Sequence, residues 1–388
     1  MKFIIASFFL LSTLIVNAQA VNQYEAIDKK VAAMPDSLSK STSLIANYIQ
    51  NNFKTNDEKV RAAFYWTASK ISYDVQNMYA INFNETKEQK IDKTLKSKKG
   101  VCINYAEIFN DITNKLGVKS VVIEGYTRQN GQASYTAHAW CGVKMNEDWF
   151  VFDPTWASGY VTPKGQFVKK FNPIYYKADP VKIIISHMPF DYLWQFLGYP
   201  ISNEMFLAGQ TKTNKSQPAF DYYTEIEKYE SLPYIDKLIS SAQRIELAGV
   251  KNALVFDRLA HKKAEIQVLN HNKTSEEFNA ISAQFNEAIN QYNDFINYRN
   301  RKFTPTYTDD IIKEMIETPR NTFLKCKEAI SNIKNIDDSN LPLVKNLSKS
   351  IDNSIVLCDE QLAFVKDYIS KSKSQRKALF GQRTLLGF

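Results

Sequence analysis

Apolar residues recur along this chain with two different periods, and the change between them divides it. From 120 to 154 they come in short runs rich in β-branched and aromatic residues: Ser120 to Glu124, Tyr126 to Gln129, Thr136 to Met145 and Trp149 to Pro154. These predict strands, with Asn130-Gly131 and Asn146-Glu147-Asp148 as the turns between them. Beyond residue 278 the step is three and four. Phe278, Ile281, Phe285, Ala288, Tyr292 and Phe295 form one stripe; Val344, Leu347, Ile351, Ile355, Cys358, Leu362, Val365 and Ile369 form another. Such stripes predict amphipathic helices packed as a bundle. Ahead of the strands, Leu38 to Phe53 and Asp57 to Ser69 read as two helices, the second burying Val60, Ala63, Phe64, Thr67 and Ile71. A further helix is predicted from Asn104, with Tyr105, Ala106, Phe109, Ile112 and Leu116 on one side and Gly117 as its C-cap.

Other stretches carry weaker patterns. Residues 21–35 read as a poorly structured lead, 76–97 as a polar surface excursion, and 157–206 as loops and short helices. Glu246 to Leu269 stays open between strand and helix, because Ala253-Leu254-Val255-Phe256 suits either. The polar stretch Gln210 to Pro218 is the expected boundary. The pattern thus divides into an α+β domain over 21–210 and a mainly helical accessory domain over 219–388, the latter with no readable chemistry.

The chemistry gathers in the first part. Lys98-Lys99-Gly100-Val101-Cys102-Ile103-Asn104-Tyr105-Ala106 puts a cysteine where a Gly-containing turn gives way to a helix. The free N–H groups and the dipole at a helix start favour the thiolate. A nucleophilic cysteine also needs a base and a group to orient that base. Thr136-Ala137-His138-Ala139-Trp140 and Asp153-Pro154-Thr155-Trp156 supply both types. Strand parity bears on the pair. A two-residue loop at Asn146-Glu147 pairs Met145 with Asp148 and sets Asp153 opposite Trp140, one diagonal step from His138. An odd loop would turn Asp153 to the other face. Singly, His138 reads as a core histidine and Asp153 as a turn residue; with Cys102 upstream they read as a Cys-His-Asp triad.

Gly-Val-Cys opening a helix, then His-Ala-Trp, then Asp-Pro-Thr-Trp, resembles the core of the transglutaminase-like superfamily. Asp57-Glu58-Lys59-Val60-Arg61, running into Tyr65-Trp66 and Ile71-Ser72-Tyr73-Asp74, is similar to the lead-in helix of its bacterial and kyphoscoliosis-peptidase-like branch. His187-Met188-Pro189 with Trp194-Gln195-Phe196-Leu197 resembles a segment that follows the triad there. The likeness runs from about Ser41 to Phe206. It implies a papain-like core, a helix packed on an antiparallel sheet, and acyl transfer through a Cys102 thioester with His138 as base and Asp153 as orienter. The Cys102 N–H would be one oxyanion donor. Trp66 and Asn104 are candidates for the second, and Trp140 and Trp156 for substrate contact. Tyr73 could line the site as well. Passing the acyl group to water makes a peptidase or amidase, the default reading; passing it to an amine makes a transglutaminase. A non-catalytic binding module is the third alternative. No acidic Ca²⁺-type loop is visible.

Composition adds a compartment. Met1-Lys2-Phe3, an apolar run from Ile4 to Val16 and Asn17-Ala18-Gln19-Ala20 read as a cleavable signal over 1–20, which predicts export to a periplasmic or extracellular space. The run is short of the ~20 residues that span a bilayer, so no integral segment is expected after cleavage. Loss of Lys2 takes the net charge from +8 to +7. The lysines are scattered, densest at Lys93, Lys96, Lys98 and Lys99, and read as a solvated face rather than a nucleic-acid surface. A protein or peptide substrate is the expected partner, with the cell envelope as one source, where acidic polymers suit a basic enzyme. Of the four cysteines, Cys141 falls in a strand, while Cys326 and Cys358 sit in helical stripes and read as buried small hydrophobes. A Cys326–Cys358 bridge stays open. No His or Cys pair has metal-ligand spacing, so neither metal nor cofactor is expected.

Overall fold

The computed structural model describes residues 23–79, 85–212, 215–216, 218–334 and 336–380; the segment read as a signal lies outside them. The chain divides into two compact units, Met1–Pro233 with Ser240–Leu259, and Tyr234–Ile239 with Ala260–Phe388.

The first unit opens on α1 (Glu25–Ala32), where the sequence pattern suggested an irregular lead. Tertiary contact holds this short helix. Asp28 and Arg61 form a buried bidentate pair at 2.8 and 2.6 Å, and the guanidinium lies 4.7 Å from the ring centres of both Tyr24 and Tyr176. Next come α2 (Thr42–Asn52), whose start Ser41 caps, and α3 (Asn56–Lys70), closed by a Thr55/Glu58 capping box. The expected stripe on α3 is buried, together with Arg61, Ala62, Trp66 and Ala68. A second departure is α4 (Lys87–Ser97), inside the supposed excursion. It buries only Ile91, Thr94 and Leu95 among many lysines, too thin a stripe to read, and Thr86 with Gln89 caps it. Two short strands, β1 (Ser72–Tyr73) and β2 (Lys99–Gly100), pair in parallel and tie the end of α3 to the start of α5 (Cys102–Lys115).

A curled antiparallel sheet follows. It contains β3 (Ser120–Gln129), β4 (Gln132–Met145) and β5 (Asp148–Phe152), and its strand order is β5-β4-β3-β8, where β8 is His187–Pro189. Asn130, Gly131 and Asn146 take the left-handed conformation that tight hairpins need. The β4–β5 register pairs Met145 with Asp148 and Cys141 with Phe152, which sets Asp153 across from Trp140 as parity required. After β5 come α6 (Pro154–Ser158) and a hairpin of β6 (Gly159–Val161) and β7 (Phe167–Lys169). The segment read as loops and short helices holds α7 (Pro180–Ile183) and α8 (Asn203–Leu207) and also supplies a strand to the main sheet.

Helix α5 packs Tyr105, Ala106, Phe109 and Ile112 against Ala139, Cys141, Val143 and Phe152 on one side of the sheet. Ile123, Trp140, Trp149 and Val151 face the other way, where Leu193, Phe196 and Ile226 cover them. Ile226 belongs to α9 (Tyr222–Ser231), and α10 (Tyr234–Leu247) brings Arg244 to Asp191 at 2.6 and 2.7 Å. The polar stretch at 210–218 thus lies inside the first compact unit.

The second unit is helical: most of α11 (Ala253–Asn300), α12 (Asp309–Ser331), α13 (Leu341–Ser370) and α14 (Lys373–Leu379). The ambiguous run at 246–269 belongs to α10 and α11, so its apolar quartet is one turn of a long helix. The core holds Phe295, Phe323, Ile351 and Val365, and Cys326 and Cys358 are buried there as free thiols. No helix among the described residues is long and apolar enough to cross a membrane.

Candidate active site

The turn before Cys102 is built for close approach. Lys98 ends α4 in the left-handed conformation, and Ser72 and Asp74 donate their N–H groups to Lys98 and Gly100 carbonyls at 2.8 and 2.9 Å. A Cβ on Gly100 would lie 2.8 Å from Cβ of Asn104, so only glycine lets the helix begin there. Asn104 Oδ1 accepts from the Val101 N–H at 2.9 Å, closing half of a capping box. That bond gives Asn104 a capping task at the position proposed for an oxyanion donor. Cys102 is the first residue of α5 and half-buried, while Cys141, Cys326 and Cys358 are fully buried.

His138 and Asp153 meet behind it. His138 Nε2 lies 2.8 Å from Asp153 Oδ2, which leaves Nδ1 for the cysteine. Burial alone would lower the His138 pKa, yet the Asp153 charge and hydrogen bond, with a hydrogen bond and charge from Cys102, raise it to about 10. Asp153 is itself buried. Despite that burial, His138 and His187 hold its carboxyl well below the usual range. Its other oxygen accepts the Thr155 and Trp156 N–H groups at 2.8 and 3.0 Å, capping α6.

A fourth residue completes the cluster. His187 Nε2 lies 3.1 Å from the same Asp153 Oδ2, and its Nδ1 lies 2.8 Å from Ser186 Oγ. In the sequence only the resemblance of the segment after the triad pointed to it. Burial lowers its pKa against the pull of Asp153, so it is neutral, donating from Nε2 and accepting the Ser186 hydroxyl at Nδ1. Ligand atoms of His138, Asp153 and His187 lie within 4.8 Å of one another, a set that could hold a metal ion. Residue spacing gave no sign of it, because the fold alone brings these three together. At 2.8 and 3.1 Å the set is closed by hydrogen bonds, and a cation would have to break both.

Gly125 makes the junction. It pairs with His138 on one side and Pro189 on the other, and a Cβ there would meet the Met188 carbonyl oxygen at 2.1 Å. Aromatic rings enclose the imidazoles. Trp140 and Trp156 lie 5.9 and 5.5 Å from the His138 ring centre, and Trp156 lies 4.6 Å from His187. Trp140 is buried behind the pair, whereas Trp156 reaches the open cleft. Trp66 does not line that cleft. It is fully buried, its ring 5.1 Å from Lys98 Nζ and its Nε1 without a partner. Tyr73 is the aromatic from this segment that lines it. Burial, then the Cys102 charge, push its phenol up to about 12.

The cleft has a volume of about 1300 Å³. Lys170 and His138 are the only basic residues among the described residues lining it, and there is no carboxylate.

Two measurements probe this arrangement. Iodoacetamide near neutral pH should modify Cys102 well before the three buried thiols; earlier labelling of any of those would remove the exposure argument. Replacing His187 with Leu should cut turnover about 3- to 10-fold and move the alkaline limb of the pH profile upward, because Asp153 then spends its charge on His138 alone. The same variant tests linkage. A neutral buried histidine costs stability as pH falls through about 6.5, where the unfolded state takes up a proton. Between pH 7 and 5 His187→Leu should therefore lose less stability than wild type.

Residues 43–154 match the family model of the transglutaminase-like superfamily core. Kyphoscoliosis peptidase of Mus musculus is 32% identical over 157 residues, covering 38% of this chain and 23% of that protein. The Homo sapiens protein of the same name is 29% identical over 194 residues, covering 48% of this chain and 28% of that one. The chain thus spans about a quarter of the length of these relatives. A crystal structure from Cytophaga hutchinsonii, named as a candidate cysteine protease, aligns with TM-score 0.24 at 21% identity over 35% of this chain and 41% of its own. A transglutaminase crystal structure aligns with TM-score 0.25 at 18% identity, over 42% of this chain and 40% of its own. By its matched residues, 43–154, the chain carries a transglutaminase-like superfamily domain.

Proposed function

We propose that this protein is an exported cysteine-dependent enzyme that cleaves peptide or amide bonds through a thioester on Cys102. The observation that carries the reading is the placement of one imidazole, His138, between a half-buried thiol at a helix start and a buried carboxylate. Cys102 attacks the carbonyl and its N–H at the helix start holds the oxyanion. In the resting pair His138 already holds the thiol proton at Nδ1; it gives that proton to the leaving amine, while Asp153 accepts from Nε2–H, orients the ring and stabilises the imidazolium. Water then attacks the thioester and releases the acid.

The cleft's charge favours water over an amine acceptor. A lysine side chain arrives as a cation, and the described lining offers it Lys170 and a protonated histidine but no carboxylate. Activity should persist into the alkaline range and fall as His138 loses its proton near pH 10. Intact-mass analysis with a peptide mixture, with and without a primary amine, tests the reaction. An acyl adduct on Cys102 that decays to acid at the same rate in both is expected. Amide products that scale with amine concentration would make it a transglutaminase, and no adduct from any peptide would make it a binding module.

A further inference from the structure

Consecutive residues line the same cleft in two places: Gly159 to Thr162, along β6 and one residue past it, and Gln132 to His138 along β4. Successive side chains of a strand point to opposite faces, so a cavity over one face meets every second residue. A cavity touched by every residue lies against the strand's edge. On β6 that edge is open. Lys170 donates its N–H to the Ser158 carbonyl and Thr162 donates to Gln166 on either side of β6, so by alternation Tyr160 between them turns its main-chain groups to Val168 of β7. Gly159 and Val161 therefore turn theirs the other way, and no backbone hydrogen bond satisfies them among the described residues. That edge is also bare. Gly159 has φ +154°, and a Cβ there would lie 2.1 Å from the Val168 carbonyl oxygen, so no side chain can cover the main chain at that point. Tyr160 and Val161 beside it are exposed apolar residues.

We infer that the cleft receives its acyl donor as an extended polypeptide that adds a third strand along β6, hydrogen-bonded to the main chain of Gly159 and Val161. A two-stranded hairpin is marginal alone, and a third strand completes it. Backbone recognition also suits a lining whose described residues carry no acidic group and few basic ones, since strand addition draws its affinity from main-chain groups shared by all peptides. The inference rests on the acyl-transfer reading, because it takes Cys102 as the group the strand is delivered to.

Two electrophiles of different reach test it: iodoacetamide, too small to pair, and an N-acetyl tetra-alanyl chloromethyl ketone. Val161→Pro removes one N–H that β7 does not use. Pairing predicts that inactivation by the ketone slows about tenfold while the iodoacetamide rate on Cys102 stays within twofold. Ketones N-methylated at single amides give a second comparison. One or two positions should slow wild type by a similar factor, each removing an N–H that donates to the Gly159 or Val161 carbonyl. Equal slowing for both reagents, or no slowing for the ketone, overturns the pairing. Failure of iodoacetamide to modify Cys102 in wild type would instead overturn the acyl-transfer reading beneath it.

Discussion

Asp153→Asn should lower turnover by about 10- to 10³-fold and, in the same protein, lower stability by about 1–3 kcal/mol. Both effects come from one carboxylate with four donors. Oδ1 holds the first turn of α6 through Thr155 and Trp156, and Oδ2 accepts from His138 and His187. An asparagine has a single acceptor oxygen. If that oxygen keeps the cap, its NH₂ faces two N–H donors, and His138 must move its proton to Nδ1 to accept instead. Nδ1 is then no longer the base for Cys102. The matching serine-protease change costs ~10⁴; a thiol ionises with less help, so the smaller range is expected. A role as turn cap and a role as orienter would otherwise be rival explanations, separated by whether stability or turnover suffers. Here the geometry joins them. Thermal unfolding and active-site-titrated turnover on one sample decide whether both operate: near-normal turnover per titrated site would leave Asp153 only the cap. Acid behaviour adds a check. The folded-state pKa of Asp153 lies below its unfolded value, so wild type holds that stability above about pH 4 and loses it as pH falls. The asparagine variant should lack this acid limb.

The second large effect concerns where the first unit ends. A chain cut after residue 210 should be mostly unfolded, while one running through residue 259 should melt within a few degrees of full length. Asp191 is buried, and its bidentate partner Arg244 lies beyond the cut. Breaking a buried pair by removing one member costs about 3–5 kcal/mol, a large share of the ~5–15 kcal/mol that a domain has. The same cut removes Ile226 from the cluster around Trp140 and takes away the Ala248 carbonyl to which Asn203 donates. In full-length protein, Arg244→Leu should cost most of this and Asp191→Leu with Arg244→Leu should regain part of it, since the double change leaves no unpaired charge. Equal melting of the 210 and 259 chains would show that the polar stretch at 210–218 is the true end of the core.

That contrast shows what the sequence could and could not tell. Period carried the sheet: alternation from Ser120 to Phe152 marked its strands, and of the two loop parities left open at Asn146-Glu147 the β4–β5 register has the even one, which brings His138 and Asp153 to one face. Strong stripes carried the C-terminal helices in the same way. Composition says less about a boundary, because a polar stretch marks exposure, while the partner of Asp191 lies 53 residues away. Helices α1 and α4 were illegible for a related reason. Each buries two or three side chains and owes its stability to caps or to a distant arginine, which leave no periodic trace. Trp66 illustrates another limit. Helical spacing places it on α3, but whether an indole faces a cleft or a core depends on a neighbour such as Lys98, whose position follows from a left-handed turn.

His187 sits on a strand three residues long that closes the sheet against Gly125. A nascent chain is made in order, and it holds Cys102, His138 and Asp153 well before that strand exists. Until residue 189 has emerged, the edge of β3 from Gly125 to Thr127 is open and Asp153 lacks one of its two imidazoles. Until residue 244 has emerged, the loop after β8 holds a buried aspartate without its cation. The thiol is thus among the first parts of the site to be synthesised and its surroundings among the last. A growing chain carries the nucleophile for more than a hundred residues before it carries everything that orders the group behind it.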